Sequence, residues 1–176
     1  MRTIRELEAP AIRGLIFDID DTVTSRGVLQ SEAFSAMHRL ADAGLVLVAI
    51  TGRPLGWTDV LARLWPVDLA IGENGAGWAR YADEGFTEGY FHGEPERQRH
   101  AALLERIRLE AARTMPEIQL ATDQRARRCD LAFDVGERAQ LSDLEINALL
   151  ELIERHGARS TVSTVHAHAI PGDWNK

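Results

Sequence analysis

The sequence predicts an α/β fold, in which a parallel sheet in the first half of the chain is followed by a smaller α+β module. Three short apolar runs in the first half each end abruptly in polar residues; they are residues 14–20, 45–51 and 67–73. Runs of this length that are apolar on both faces are typical of buried parallel strands. Helical patterns separate the runs, which indicates right-handed βαβ units that bind ligands at the carboxyl ends of their strands.

Two amphipathic helices are predicted between these strands. Over residues 31–43, apolar side chains recur at helical spacing, and Gly44 is placed to end the helix. Residues 55–65 show the same pattern, and Pro66 stops this second helix. Each helix connects two of the predicted strands, so both are predicted to be crossover helices.

The second half of the chain has a different pattern. The predicted elements are two short strands, at residues 86–91 and 130–135, a longer strand at residues 159–170, and two helices, at residues 96–114 and 142–156. Ser142 and Glu145 have the spacing of a capping box, and Gly157 ends the second of these helices. Two helices against a small, mostly antiparallel sheet would form a module of their own, with boundaries near Arg80 and Val165.

Composition and charge narrow the functional classes. The 176 residues carry a formal net charge of −7, which argues against nucleic acid as a partner because such affinity comes mostly from neutralised phosphates. A single cysteine, Cys129, excludes an intrachain disulfide and fits a reducing compartment. Residues 1–15 lack the apolar core of a signal peptide, and no apolar run is long enough to span a membrane. The sequence therefore predicts a cytoplasmic protein.

Asp18 and Asp20 stand at the end of the first predicted strand. Side chains two residues apart in an extended chain lie on the same face, so both carboxylates can address one pocket. Covalent hydrolysis of a phosphate ester needs such a pair: one carboxylate attacks phosphorus, and the other protonates the leaving oxygen and later deprotonates water. A hard divalent cation would screen the nucleophile from the phosphate. The alternative is that Asp20, Asp21 and Thr22 only begin a turn.

A second polar cluster, residues 51–54, ends the second predicted strand. The Thr51 hydroxyl and a free backbone amide can hold phosphate oxygens there, and Arg53 can add a charge-assisted hydrogen bond. The alternative is a strand-to-helix turn in which Gly52 relieves strain and Pro54 opens the helix.

These clusters resemble the motifs of the haloacid dehalogenase superfamily. Residues 18–22, Asp-Ile-Asp-Asp-Thr, resemble its motif I, and residues 51–53, Thr-Gly-Arg, resemble its motif II. Residues 73–76, Glu-Asn-Gly-Ala, are similar to the subgroup with a type-C2 cap, which includes sucrose-phosphate phosphatase, the Cof-type phosphatases and phosphomannomutase. The resemblance covers nearly the whole chain, but its specific motifs lie in the first half.

The resemblance implies a Rossmann-like parallel-sheet core into which an α+β cap is inserted. The predicted boundaries are 1–80 for the core, 81–165 for the cap and 166–176 for the return to the core. The implied activity is a Mg²⁺-dependent phosphatase whose substrate is a small phosphorylated metabolite, with a sugar phosphate as the first choice. The cap would close over this substrate and exclude water.

The same resemblance implies a role for each motif residue. Asp18 is the nucleophile and a metal ligand, and Asp20 is the general acid/base and binds Mg²⁺ through its backbone carbonyl. Lys176 is the catalytic lysine of motif III. The residues expected to bind the phosphate or the rest of the substrate are Asp21, Thr22, Thr51, Gly52, Arg53 and Asn74.

The family's motif IV, an acidic pair that completes the metal site, is not found before Lys176, although Asp173 is a candidate substitute. Two core strands that pair beside the first strand in this superfamily are not found either. Without them, the strand at residues 14–20 would be an exposed edge, which folded proteins normally cover. The expectation is therefore a fragment of a longer chain, or a partner such as a second copy in a homodimer.

Two other functions fit the same residues. A phosphomutase of the same subgroup would form the same aspartyl phosphate but keep it from water. A non-catalytic binding or regulatory protein would retain the fold without turnover, because motif IV is not visible.

The remaining polar clusters do not predict a specific site. Glu73 and Asn74 can contact the substrate or the cap, or form the turn between core and cap. The basic cluster at residues 125–128 is predicted to be a solvated turn rather than an anion site. His166 and His168 share a face of a predicted strand, but without a third ligand nearby they do not predict a zinc site.

Overall fold

The computed structural model describes residues 12–176, which form a five-stranded sheet, a three-stranded sheet, a short hairpin and four α-helices. The strands are β1 Gly14–Asp18, β2 Thr24–Ser25, β3 Val28–Leu29, β4 Val46–Ile50, β5 Leu69–Gly72, β6 Gly77–Ala82, β7 Gly85–Tyr90, β8 Leu131–Asp134, β9 Arg159–Val162 and β10 His166–Ile170. The helices are α1 Ser31–Asp42, α2 Leu55–Leu64, α3 Glu94–Thr114 and α4 Asp143–Arg155. Residues 1–11 of the predicted core lie outside the described residues.

The five-stranded sheet has the order β1-β4-β5-β6-β7. Its strands β1, β4 and β5 are parallel, as predicted, and their register places Asp18 beside Ile50 and Ile50 beside Ile71. The carboxyl ends of the three strands therefore meet at one edge of the sheet, where the loops that follow them lie side by side. Helices α1 and α2 are the predicted crossovers, and their buried faces pack on this sheet with Leu47 and Ala49 at its centre.

Strand β1 is an edge strand of this sheet within the described residues, as the sequence predicts. The side chain of Ile16 is 70% exposed, and Leu15 is also exposed. A partner at this edge remains a prediction.

Residues 86–91 are predicted to belong to the second module, but the structure places β7 in the core sheet. Strand β6 pairs antiparallel with β5, and β7 pairs antiparallel with β6 through a tight turn at Gly85, whose φ is 99°. The hairpin extends the core sheet because β6 hydrogen-bonds to the edge of β5 and β7 hydrogen-bonds to β6. The α+β module therefore begins with α3, ten or more residues later than the predicted boundary at Arg80.

The α+β module packs α3 and α4 against the three-stranded sheet β8-β10-β9. Its core includes Ile107 from α3, Phe133 from β8 and Leu149 from α4, all nearly inaccessible to solvent. The predicted capping box is confirmed, since the Ser142 hydroxyl accepts from the Glu145 backbone and the Glu145 carboxylate accepts from the Ser142 backbone.

Residues 159–170 are predicted to form one strand, but they form the antiparallel hairpin of β9 and β10. Ser163 closes the turn, because its backbone N–H donates to the His166 carbonyl (2.8 Å) and its hydroxyl accepts from the His166 N–H (3.0 Å). Strand β10 also pairs with β8, and Ala167 and Ala169 are fully buried in the cap. Residues 166–170 therefore belong to the cap and not to the predicted return to the core.

Within residues 12–176, none of the helices is both long and apolar enough to cross a lipid bilayer.

Candidate active site

Asp18 lies at the carboxyl end of β1 and contacts Lys176 from the opposite end of the sequence. The Lys176 ammonium lies 2.9 Å from each of the two Asp18 carboxylate oxygens. The Ile19 backbone N–H also donates to Asp18 Oδ1 (2.8 Å). Both side chains of the ion pair are more than one-third exposed, so the pair is accessible from solvent. The fold thus joins the predicted nucleophile to the predicted motif III lysine.

Asp20 is held by Arg53, the arginine that follows the second core strand. The Arg53 Nη2 lies 2.7 Å from Asp20 Oδ1, and Nε lies 3.1 Å from both carboxylate oxygens. The hydrogen bonds to Asp20 raise the pKa of Arg53 above its ordinary value. The Thr51 hydroxyl lies 3.5 Å from Asp20 Oδ2 and accepts from the Arg53 N–H (3.0 Å). The two predicted motifs are therefore directly linked through side chains.

Asn74 ties the loop after β5 to the loop after β4. Its backbone N–H donates to the Thr51 carbonyl (3.0 Å), and its left-handed conformation, φ 58°, is one that asparagine tolerates well. Gly52 allows this close approach, since a Cβ atom there would lie only 3.1 Å from the Asn74 side-chain oxygen. The Glu73 N–H donates to the Arg53 carbonyl (2.9 Å) and holds the same two loops together.

A cavity of about 480 Å³ opens between these core loops and the β9–β10 hairpin of the cap. Six of the predicted site residues line it: Asp20, Asp21, Gly52, Arg53, Asn74 and Lys176. Asp18 and Thr51 are not among the lining residues, but Asp18 contacts Lys176 and Thr51 contacts Asp20, and both of these partners line the cavity. Asp18 itself borders an apolar groove along β1 and α1. Thr22 borders the same groove and is not among the residues that line the cavity. Its contact with the phosphate stays a prediction.

Glu73 is a fully buried carboxylate that accepts hydrogen bonds from four backbone N–H groups. Oε1 accepts from Leu55 (2.9 Å) at the start of α2 and from Arg128 (2.8 Å), and Oε2 accepts from Cys129 (2.6 Å) and Asp130 (3.0 Å). Burial and the nearby Asp130 charge raise the pKa of Glu73 to about 7, although the backbone donors act in the opposite direction. Glu73 contacts the cap and also begins the turn at residues 73–75, which leads from β5 to β6 within the core sheet.

Arg127 is the second polar link between cap and core. Its Nη1 donates to the Gly52 carbonyl (3.1 Å) and to both carboxylate oxygens of Asp130 (3.1 Å), and its Nε donates to Asp123 (3.1 Å). The Arg127 side chain is only 1% exposed, so the predicted solvated turn is wrong for this residue. Residues 123–130 form no α-helix, so the helical spacing rule for ion pairs does not apply and the sequence carries no local signal for this network.

The groups that could hold a magnesium ion lie on the first core loop. The Asp18 carboxylate is accessible, and the Asp20 carbonyl oxygen accepts no hydrogen bond from the described residues. Oxygen ligands of this kind fit Mg²⁺, which usually takes one or two carboxylates and completes its shell with water and substrate phosphate. Residues 12–176 contain no cluster of three or more metal-ligating side chains. Asp173 lies instead against His92, with 3.0 Å between its Oδ1 and the histidine Nε2, and does not line the cavity.

Comparisons with known proteins show which solved structures share the fold of this chain. No family model and no curated protein sequence matches the chain. Among solved structures, the chain is similar to Thermoplasma acidophilum 0175, with a TM-score of 0.70, 16% identity, and coverage of 93% of this chain and 66% of that one. It is also similar to the sucrose-phosphatase of Synechocystis sp. PCC6803, solved with sucrose and phosphate (TM-score 0.60, 17% identity, 91% and 64% covered).

A third similar structure is BT1666 from Bacteroides thetaiotaomicron, described as a phosphatase of the haloalkanoate (HAD) enzyme superfamily (TM-score 0.56, 18% identity, 92% and 68% covered). The chain thus spans about two thirds of the length of these structures. The described residues share the Rossmann-like α/β fold of these solved structures, in which the residues at 18–22 and 51–53 follow neighbouring parallel strands.

Proposed function

We propose that this chain is a Mg²⁺-dependent phosphatase that hydrolyses a small phosphorylated metabolite, with a sugar phosphate as the substrate class. The observation that carries the proposal is the pairing of two carboxylates with two cations at one end of the core sheet. Asp18 faces Lys176, and Asp20 faces Arg53, beside a cavity large enough for a small metabolite.

Asp18 is proposed to be the nucleophile. One of its carboxylate oxygens attacks phosphorus, and the bond between phosphorus and the ester oxygen breaks, which gives an aspartyl phosphate and an alcohol. Lys176 offsets the charge of Asp18 and can follow the oxygens of the transferring phosphoryl group, since its ammonium is a mobile point charge. A bound Mg²⁺ would supply further charge neutralisation between the carboxylate and the phosphate.

Asp20 is proposed to be the general acid and base. In its protonated form it gives a proton to the leaving oxygen in the first step. As the resulting carboxylate it removes a proton from water in the second step, which releases phosphate and restores both Asp18 and the protonated Asp20. The bidentate contact with Arg53 fixes the direction of the carboxylate. Thr51, Gly52 and Asn74 form the rigid loop edge beside it and are proposed to bind the phosphate oxygens.

The substrate class is proposed from the cavity wall. The lining residues are polar or aliphatic and include hydroxyl, imidazole and carboxylate groups, and none of them is Phe, Tyr or Trp. Such a wall suits hydroxyl groups, which donate and accept hydrogen bonds.

The proposal is tested by phosphate release from a panel of phosphosugars and other phosphate esters, with Mg²⁺ and with a chelator. We expect release that needs Mg²⁺ and falls by about 10³-fold or more in Asp18→Asn, because the amide is not a nucleophile at phosphorus. Asp42→Asn, an exposed carboxylate at the end of α1, is the matched control and should keep wild-type activity. Folded wild-type protein that releases no phosphate from any ester with Mg²⁺ would refute the proposal.

A further inference from the structure

We infer that His168, on the cap strand β10, is a specificity-determining residue that hydrogen-bonds a hydroxyl of the substrate's leaving group. This inference rests on the proposed function and assigns its substrate recognition to one side chain. His168 lines the same cavity as Asp20, Arg53, Asn74 and Lys176, on the wall that the cap contributes.

One ring nitrogen of His168 is already committed to the protein. Nδ1 lies 3.0 Å from Asp130 Oδ2, and the Asp130 side chain is fully buried and bound by Arg127. A carboxylate that is paired with arginine only accepts hydrogen bonds, so Nδ1 is the donor. The contact fixes the orientation of the ring, as carboxylates commonly do for functional histidines.

The other nitrogen, Nε2, has no hydrogen-bond partner among the described residues, although the ring as a whole is only 11% exposed. Because His168 lines the cavity and Nδ1 faces Asp130, Nε2 is the ring nitrogen left for a ligand in the cavity. An imidazole at a cavity wall whose orientation is fixed through one nitrogen can hydrogen-bond a ligand through the other nitrogen. Neutral Nε2 accepts from a hydroxyl, and a protonated ring donates to one.

The neighbouring histidine does not have this arrangement. His166 lies on the same face of β10, with ring centroids 5.9 Å apart, but its Nε2 is 3.3 Å from the partly exposed carboxylate of Glu137. The alanines between and after the two histidines point into the cap core. Strand alternation therefore presents both rings to the cavity, and only that of His168 is fixed by a buried partner.

The wall around His168 selects a neutral, hydroxylated leaving group. Its polar side chains are Arg127, Glu137, Thr161, Ser163, Thr164 and His166. Arg127 is already paired with Asp123 and Asp130, whereas the hydroxyl and imidazole groups can pair with several ligand hydroxyls. The occupant that fits is a sugar or another polyol esterified to phosphate.

The test compares two primary alkyl phosphates, a hexose 6-phosphate and ethyl phosphate, which differ in whether the leaving group reaches the cap wall. For His168→Ala we expect kcat/KM to fall by about 10- to 100-fold with the hexose ester and by less than about 3-fold with ethyl phosphate, because only the former loses a hydrogen bond. His168→Asn keeps an amide that can donate to Asp130 but does not reach the position of Nε2. Its kcat/KM with the hexose ester should therefore fall as much as in His168→Ala. His168→Gln, whose amide reaches the position of Nε2, should recover part of the loss.

His156→Ala is the matched control, since it removes a carboxylate-paired histidine of the same cap that does not line the cavity. Equal losses for the two esters in folded His168 variants would overturn the inference while the phosphatase proposal stands, and so would an unchanged hexose rate. Wild-type turnover of ethyl phosphate without preference for the hexose ester would overturn the polyol assignment. Absence of all Mg²⁺-dependent turnover would overturn the proposed function and this inference with it.

Discussion

The carboxylate of Glu73 joins three segments that are far apart in the sequence. It follows β5 directly, and its partners are the N–H groups of Leu55 and of residues 128–130. An ionised carboxylate with no exposure is costly unless it is well hydrogen-bonded, and four donors offset much of that cost. Burial still dominates, which is why the pKa of Glu73 rises from 4.5 to about 7.

This shift predicts a pH dependence of stability. A carboxyl group with a raised pKa binds its proton more tightly in the folded protein, so its contribution to stability is fully present below pH 4.5 and is lost as the pH rises through about 7. In Glu73→Gln no proton is exchanged at this site, and we expect the free energy of unfolding to fall less over this range than in the wild type. Urea unfolding at several pH values between about 4.5 and 8 measures the difference.

The exposed Glu151→Gln serves as the control for that experiment and should retain the wild-type pH profile. Parallel profiles for Glu73→Gln and the wild type would show that Glu73 titrates alike in the folded and unfolded states.

At the scale of single residues, the sequence predicts the groups at the strand ends but not their connections across the molecule. Asp18, Asp20 and Thr51 are identifiable because each lies at or just after the carboxyl end of an apolar parallel strand, where topology places ligand sites. Glu73 and Arg127 bind backbone groups 18 to 75 residues away, and neither composition nor periodicity contains that information. Their roles depend on where the cap rests on the core.

At the scale of elements, the helices follow local signals closely. Helix α4 begins directly after Ser142, the N-cap residue of the predicted capping box. The side chains of Ser142 and Glu145 each accept a hydrogen bond from the other's backbone N–H. We expect Ser142→Ala to lower the free energy of unfolding by about 1 kcal/mol, because one N–H at the helix start loses its acceptor. Urea unfolding measures the change.

Ser35→Ala is the matched control for the capping residue. Ser35 is exposed within α1, where alanine has the higher helix propensity, so this variant should be unchanged or slightly more stable. A Ser142→Ala variant that is as stable as Ser35→Ala would contradict the assigned role of the capping box.

The strands of the second half are predicted less well, for two different reasons. The turn at residues 163–165, Ser-Thr-Val, contains no Gly, Pro or Asn, so the β9–β10 hairpin lacks the usual sequence signal and looks like one long strand. The strand at 86–91 is recognisable, but its alternation is compatible with either sheet. Which sheet the strand joins depends on its pairing with β6, and that pairing is set by the tertiary structure and not by local sequence.

At the scale of the whole molecule, the cap is attached to the core through buried polar contacts. Arg127 and Glu73 connect the loop at residues 123–130 to the loop after β4 and to the start of α2. Trp174 adds a third connection, since its indole N–H donates to the Glu73 carbonyl (3.1 Å). Polar links of this kind specify one relative position of two modules more sharply than apolar contacts do, because each requires defined geometry.

This attachment predicts how the two modules unfold. Arg127→Met leaves the buried Asp130 and Asp123 without their cation and removes the donor to the Gly52 carbonyl, so we expect a loss of about 3–5 kcal/mol in unfolding free energy. Because the lost contacts join cap to core, the cap should also unfold separately from the core. Urea titrations followed by tryptophan fluorescence and by circular dichroism distinguish the modules.

The two signals report on different modules for a structural reason. Three of the four tryptophans, Trp57, Trp65 and Trp78, belong to the core, and the fourth, Trp174, contacts it. Most helical residues are in the cap, where α3 has 21 residues and α4 has 13. In the wild type and in the control Arg125→Met, an exposed neighbour, both signals should change at one urea concentration. In Arg127→Met the circular dichroism transition should precede the fluorescence transition. Coincident transitions in that variant would mean that apolar contacts alone couple the modules, and that the buried network fixes only their orientation.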